Sequence, residues 1–166
     1  MSQRPLWAAV AADAAAWAGV QVGAGYLAHR LPDRALERDG WLLRERAWEG
    51  GGRFYVEVAR IRGWKGLLPE AGGFFAGGVS KRSLGGRGAD NLARLARETR
   101  RAELGHWLMM APAPLFVLCN RPLLAPFMAV YALAVNLPCI AAQRYNRIRL
   151  LRAGRRLRPQ PPSSAS

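Results

Sequence analysis

Apolar residues in this chain fall into blocks that are separated by arginine-rich stretches. The block at 6–28 is long enough to cross a bilayer as a helix, since about 20 predominantly apolar residues suffice. The block at 123–142 meets the same requirement, whereas 107–119 does so only if the crossing begins at 104. The pattern predicts a mainly α, small helical integral membrane protein. We expect about three membrane-embedded helices, at about 6–28, 104–119 and 123–142, together with amphipathic or interfacial helices.

The first block also resembles a signal peptide in position, but its features favour a retained span. It is long, only Arg4 precedes it, and it carries Asp13 and Gln21. An acid in a membrane helix costs on the order of 3 kcal/mol by insertion scales and suggests a functional role. Asp13 could equally be hydrated or paired with an arginine near the interface, and the sequence leaves both interpretations open.

The second and third apolar stretches predict a helical hairpin. Pro112 and Pro114 should end the helix before them, because proline cannot continue a helix interior. The first arm crosses the membrane if it includes residues from 104 onward, and is re-entrant if it does not. The sequence does not decide between these two arrangements.

Shorter helices are expected between the first span and the hairpin. One amphipathic helix should cover 34–39 after an Asp33 cap, and a longer one should run over 91–111 after an Asp90 cap. The run at 53–62 fits a strand by its β-branched content, but its apolar residues recur every third position, so we favour a helix.

Charge refines this topology. The net charge is +14 although 51% of the residues are hydrophobic, and the arginines concentrate in the 29–103 loop and after residue 143. By the positive-inside rule both regions face the cytoplasm, which predicts a multi-pass protein of the bacterial cell membrane with a cytoplasmic active face. We expect one membrane-embedded domain over 1–152 and a basic, disordered tail over 153–166.

Nucleic acid is not an expected partner, because no known binding module is present.

Residues 71–88 are rich in glycine, and basic residues lie in the second half of this region. Backbone N–H groups of such a turn can bind a phosphate, but no phosphate-loop spacing is present. A mobile interfacial loop is the favoured interpretation. The two cysteines, Cys119 and Cys139, lie in apolar segments, which favours buried thiols over a disulfide or a metal site.

The densest charge cluster lies at 97–107 and ends at a histidine where apolar sequence begins. Glu103 and His106 are three residues apart, so they can touch on one face of a helix. Residues that recur at spacings of three and four predict one face of this helix, with Glu103 beside it: Leu92, Leu95, Thr99, Ala102 and His106. From these residues alone a salt-bridge lattice is favoured over a catalytic pair.

Two motifs carry a family resemblance. Residues 98–107 (Glu-Thr-Arg-Arg-Ala-Glu-Leu-Gly-His-Trp) and 143–150 (Gln-Arg-Tyr-Asn-Arg-Ile-Arg-Leu) resemble the paired motifs of bacterial glycosyl-4,4'-diaponeurosporenoate acyltransferases. Weaker similarities are 30–33, Trp48-Glu49 and 62–65, so the likeness extends over about 26–151. The resemblance implies transfer of a fatty acyl group to a sugar hydroxyl of a glycosylated carotenoid or related glycolipid. The 71–88 region and the first span depart from the family pattern.

With that resemblance we interpret His106 as a general base, because its pKa lies near neutrality, and Glu103 as the acid that orients it. No serine or cysteine lies beside this pair, so direct transfer is expected. The tetrahedral oxyanion would need donors from Asn136, Gln143, Arg144 or Asn146. Arginines would hold the phosphates of acyl-CoA, which is expected as a co-substrate, and no cofactor or metal is expected. The predicted substrate-binding set is Asn136, Gln143, Arg144, Tyr145, Asn146, Arg101 and Trp107.

Two rival functions fit parts of the sequence. Glu-x-x-His is half of a di-metal helix motif, but the other histidine, His29, does not supply the second half. A non-catalytic membrane adaptor with an arginine-rich cytoplasmic face would depend on charge rather than on His106. The sequence does not indicate the oligomeric state.

Overall fold

A computed structural model describes residues 5–68, 88–119 and 124–157 of the chain. These residues are mainly helical and contain no strand, which confirms the predicted helical class. The α-helices are α1 (Leu6–Arg30), α2 (Arg53–Glu57), α3 (Ile61–Trp64), α4 (Ala89–Met110), α5 (Ala113–Cys119) and α6 (Ala125–Leu157), with 3₁₀ turns at Asp33–Leu36, Ala47–Gly52 and Lys65–Leu67.

Helices α4 and α6 form the centre of the fold and pack antiparallel. Glu103 of α4 contacts residues 144 and 147 of α6, while His106, further along α4, contacts Asn136. Asn136, Ile140 and Arg147 are all buried, and their spacing places them on one stripe of α6 that faces α4.

Helix α1 packs on α4 and on the apolar half of α6. A Cβ built on Gly105 of α4 would lie 3.3 Å from the Cβ of Ala28, so the glycine permits the close approach of the two helices. Trp17 is buried, stacks on Phe116 of α5 at a centroid distance of 4.5 Å, and meets the Tyr131 ring of α6 edge-on at 5.5 Å.

The opposite face of α6 is covered by the segment that contains α2 and α3. Its apolar core joins Tyr55 and Ile61 to Ala142, Tyr145 and Ile148. The C-terminal half of α6 is therefore enclosed from two sides, by α4 and by this short-helix segment.

Three local predictions need correction. The 34–39 helix is a 3₁₀ turn at Asp33–Leu36. The single helix predicted over 53–62 is wrong, because α2 ends at Glu57 and α3 begins after Arg60, which has a left-handed backbone (φ +46°). Helix α4 agrees with its predicted range, but its N-cap is Gly88 and not Asp90. Asp90 lies in the first turn, where its negative charge interacts favourably with the helix dipole.

Among the described residues α6 is the one helix long and apolar enough to cross a membrane. The three-span arrangement therefore remains a prediction. The stretch predicted to span at 104–119 is divided between the end of α4 and the seven residues of α5, with the break at the expected prolines. Helix α6 continues through Leu157, so the first part of the tail predicted from 153 is helical. The glycine-rich region lies, except for Gly88, outside the described residues.

Large apolar side chains are exposed on the helices that surround the buried polar groups. Val22 of α1, Leu118 of α5 and Phe127 of α6 are between 64% and 79% exposed. Inside, Glu103, Asn136 and other polar side chains are nearly inaccessible. Apolar groups outside and polar groups inside are typical of a protein surrounded by lipid, so this arrangement indicates membrane association.

Candidate active site

Glu103 lies at the centre of a buried ion-pair network between α4 and α6. Its side chain is 0% exposed, and its carboxylate accepts hydrogen bonds from two guanidinium groups of α6. Arg144 donates from Nε (2.9 Å) and Nη2 (2.5 Å) to Oε1, while Arg147 donates from Nη1 (2.5 Å) to Oε2. A buried carboxylate is stable only when it is paired and hydrogen-bonded, and both oxygens of Glu103 meet this requirement.

The same arginines hold the segment that precedes the second 3₁₀ turn. Arg144 also donates to the carbonyl oxygen of Leu42, and Arg147 donates to that of Leu43. Oδ1 of Asp39 forms an ion pair with Nε of Arg147 at 3.2 Å and accepts a hydrogen bond from Nε of Arg100 at 2.7 Å. Charge-assisted interactions thereby attach residues 39–43 to both α4 and α6.

A second buried carboxylate, Glu49, extends the network. It accepts hydrogen bonds from the Tyr55 hydroxyl and the backbone N–H of Arg46, and it lies 3.8 Å from the Arg144 guanidinium. Burial, followed by the hydrogen bond to Glu49, raises the pKa of Tyr55 far above its ordinary value. The Tyr55 hydroxyl therefore keeps its proton at neutral pH and donates it in a hydrogen bond to this carboxylate.

His106 forms a separate pair with Asn136 of α6. The distance between His106 Nδ1 and Asn136 Oδ1 is 3.0 Å, and Asn136 Nδ2 donates to the Ala132 carbonyl oxygen at 2.9 Å. A carbonyl oxygen only accepts, so the amide nitrogen of Asn136 must face Ala132 and its oxygen must face the imidazole. His106 Nδ1 then carries the proton, and the neutral ring has its lone pair on Nε2.

The predicted orientation of His106 by Glu103 is wrong. Although the two residues are three positions apart, Glu103 bonds to the α6 arginines and His106 to Asn136. The buried face of α4 carries Ala96, Thr99, Arg100 and Glu103, so Glu103 lies on that face rather than beside it. Asn136, and not Glu103, is the side chain that bonds to the His106 imidazole.

Two other predicted substrate-binding residues take part in the fold. Arg101 donates from Nη1 to the carbonyl oxygens of Ala28 (3.0 Å), His29 (2.9 Å) and Leu31 (2.6 Å) at the end of α1, and from Nη2 to Asp33. The C-terminal carbonyls of a helix otherwise lack partners, so Arg101 caps α1. Trp107 is half-buried and donates to Glu103 Oε1 at 3.4 Å.

The remaining predicted residues of α6 are divided between its two faces. Gln143 is half-buried and, seven positions after Asn136, lies on the same stripe. Tyr145 is buried on the opposite face, and Asn146 accepts a hydrogen bond from Lys65 at 3.3 Å. The structure thus brings His106 and Asn136 into contact, places Gln143 on their side of α6, and separates them from Tyr145.

Sequence reasoning missed three buried members of the network, Glu49, Arg100 and Arg147, and the half-buried Asp39. Glu49, Arg100 and Arg147 do fall within segments quoted for the family resemblance, which was the available signal. No group of three or more metal-ligating His, Cys, Asp or Glu side chains occurs within residues 5–68, 88–119 and 124–157.

Comparison with known proteins gives a consistent result. Residues 39–156 match the family described as glycosyl-4,4'-diaponeurosporenoate acyltransferase. A protein with that name from Staphylococcus haemolyticus is 33% identical over 135 residues, which are 81% of this chain and 78% of the relative. Its namesake from Staphylococcus aureus (strain bovine RF122 / ET3-1) is 30% identical over 136 residues, 81% of each chain. No solved structure matches.

Proposed function

Because the chain belongs to the glycosyl-4,4'-diaponeurosporenoate acyltransferase family, and is therefore an acyltransferase, we propose that it transfers a fatty acyl group to a sugar hydroxyl of a glycosylated carotenoid or a related glycolipid. His106 is the general base in this proposal, and Asn136 is its positioning residue. Family membership favours this enzyme over the adaptor.

The observation that supports His106 is its hydrogen bond to Asn136. An imidazole that donates through Nδ1 presents Nε2 as a proton acceptor, which is what activation of a hydroxyl requires. Asn136 is itself fixed by Ala132, so the tautomer is set before substrate binds. An asparagine also accompanies the catalytic histidine in papain-like proteases.

The proposed reaction is a direct transfer. His106 Nε2 takes the proton of the sugar hydroxyl while the oxygen attacks the acyl carbonyl carbon of a thioester. The tetrahedral oxyanion then collapses, the C–S bond breaks, and the imidazolium returns its proton to the departing thiolate. Gln143 is the favoured oxyanion donor, because it lies on the Asn136 side of α6 and makes no hydrogen bond to another described side chain. Asn136 and Arg144 already donate within the fold, and Asn146 accepts a hydrogen bond from Lys65.

The proposed setting is the cytoplasmic side of the cell membrane. The exposed apolar side chains of α1, α5 and α6 support a multi-pass arrangement, with the arginine-rich end of α6 at the inner surface. An oily glycoside could then reach His106 from the lipid, while acyl-CoA, the proposed donor, approaches from water.

The test is the replacement of His106 by Ala in the full chain, expressed in a host that makes the glycosylated carotenoid. Mass spectrometry of extracted pigment should show loss of the acylated product, with a rate decrease of about 10²-fold or more. His29→Ala is the matched control, because it removes the chain's other histidine at the end of α1. Resistance of both variants to alkaline extraction from membranes checks insertion, and retained acylation by the His106 variant would overturn the assignment.

A further inference from the structure

Three cations converge on the side of α6 that faces away from His106. The ring of Tyr145 is buried, and its hydroxyl oxygen lies 3.4 Å from Arg62 Nε. Lys65 Nζ lies 5.2 Å from the ring centroid, and the Arg149 guanidinium carbon lies 5.6 Å from it. A buried aromatic ring thus forms the floor of a basic cluster, composed of Arg62, Lys65 and Arg149.

Two cations of the cluster, Arg62 and Arg149, are not paired with a described carboxylate in the way that the arginines of the Glu103 network are. The ion pairs between described residues use Arg97, Arg100, Arg101, Arg144 and Arg147, and none includes Arg62 or Arg149. Cation–π attraction to Tyr145 favours each cation separately. It does not remove the repulsion between Arg62 and Arg149, since both guanidinium groups lie within about one Debye length (~8 Å) of the ring.

The surroundings of the cluster indicate where its ligand would come from. Val58 and Leu67, which flank Arg62 and Lys65 in the chain, are 68% and 85% exposed. The cluster follows the apolar half of α6 directly, at the level where a helix leaving a membrane meets lipid headgroups. Exposed apolar side chains beside cations are typical of a surface in contact with the headgroup layer.

We propose that Arg62, Lys65 and Arg149 form a phosphate-binding site on the Tyr145 ring, distinct from the His106–Asn136 pair. Arg62 and Arg149 provide planar guanidinium groups that match phosphate oxygens, and Lys65 adds a point charge. The shared ligand chemistry is a phosphate ester, which is supplied either by an anionic phospholipid headgroup or by a soluble phosphate compound. The site does not depend on the acyl-transfer proposal, because Tyr145 and Asn136 lie nine residues apart on opposite faces of α6.

The experiment is calorimetric titration of the full chain in a neutral detergent. The probes are short-chain phosphatidylglycerol, short-chain phosphatidylcholine as a lipid of zero net charge, and coenzyme A as a soluble phosphate compound. Arg62→Gln/Arg149→Gln is compared with Arg155→Gln/Arg156→Gln, which removes the same charge from exposed positions of α6. We expect saturable binding of phosphatidylglycerol that the first pair weakens about tenfold and the second changes less than about twofold.

Each outcome decides the question. Selective binding of phosphatidylglycerol assigns the site to lipid, and selective binding of coenzyme A that depends on Arg62 and Arg149 assigns it to a soluble phosphate ester. Equal weakening by both variant pairs, or no saturable binding of either phosphate compound, overturns the proposal. If the double variant loses its helical circular dichroism, Arg149→Gln alone is used: weakening of about threefold or more supports the site, and unchanged binding overturns it.

Discussion

Glu103 and His106 lie one turn apart on α4, but each is bound to a different part of α6. Glu103 contacts Arg144 and Arg147 in the basic half of that helix, and His106 contacts Asn136 in its apolar half. This separation divides the motif into a residue that holds the helices together and a residue that we propose for proton transfer.

Glu103→Gln should destabilise the protein strongly. The change leaves Arg144 and Arg147 buried without their main counter-charge, and breaking a buried ion pair typically costs about 3–5 kcal/mol. Thermal unfolding in detergent measures the loss. Glu98→Gln is the control, since Glu98 pairs with Arg101 at 3.4 Å in a partly solvated position and should cost less than about 1 kcal/mol. Equal melting temperatures for the two variants would contradict the structural role of Glu103.

Asn136→Leu should lower kcat while leaving KM nearly unchanged. The variant removes the acceptor that fixes the His106 tautomer, so fewer enzyme molecules present Nε2 as a base, and we expect a decrease of at least about tenfold. Thr99→Val is the control, because it removes another buried polar group whose hydroxyl bonds only within α4. A rise in KM with constant kcat would instead place Asn136 in substrate binding.

Arg101→Ala should reduce stability rather than substrate affinity. Its guanidinium satisfies three carbonyl oxygens at the end of α1, and loss of such charge-assisted bonds costs about 1–3 kcal/mol. Arg101→Lys keeps the charge but not the fork, so it should have an intermediate melting temperature. A stable Arg101→Ala protein with a raised KM would restore its predicted role as a substrate ligand.

Gly105→Leu should separate α1 from α4. A Cβ at this position already meets Ala28 at 3.3 Å, and a larger side chain forces the helices apart at a cost of about 1–3 kcal/mol. Gly154→Leu is a matched control on α6, where a Cβ meets nothing within 4 Å and leucine should raise stability through helix propensity. Denaturant unfolding of both variants gives the comparison, and a stabilised Gly105 variant would contradict the observed helix contact.

Tyr55 should give a specific loss of stability at high pH. Its pKa in the folded protein is raised above the ordinary value of 10.0, first by burial and then by Glu49. The unfolded chain therefore loses this proton first, so the contribution is fully present below pH 10 and declines as pH rises above it. The difference in unfolding free energy between wild type and Tyr55→Phe should shrink above pH 10. A difference that does not depend on pH would show that the tyrosine ionises equally in both states.

The long helices were predictable because their signals are local. The polar cap region near Asp90 and the prolines after Met110 indicated the limits of α4, and the apolar run at 123–142 predicted the first part of α6. The break between α2 and α3 was not predictable, since it depends on a left-handed backbone at Arg60, a residue with no special preference for it.

The candidate site was predictable in its residues but not in their pairing. His106, Glu103, Asn136 and Arg144 were all selected, but the family resemblance, and not chemistry and spacing alone, favoured a catalytic interpretation over a salt-bridge lattice. The actual partners of Glu103 lie 41 and 44 residues away along the chain, and a sequence this rich in arginine offers many alternatives. Pairing across such separations is fixed by the packing of α4 on α6, which residue spacing within one helix does not determine.

The contacts from α6 to Leu42 and Leu43 span 102 and 104 positions, which has a consequence for how the protein is made. During synthesis Glu49 and Glu103 are added to the chain before Arg144 and Arg147. Until then the nascent chain has no guanidinium from α6 to neutralise them, so these acids must stay hydrated. Synthesis of α6 therefore completes the buried network, and a chain truncated before residue 144 would lack these counter-ions for Glu49 and Glu103.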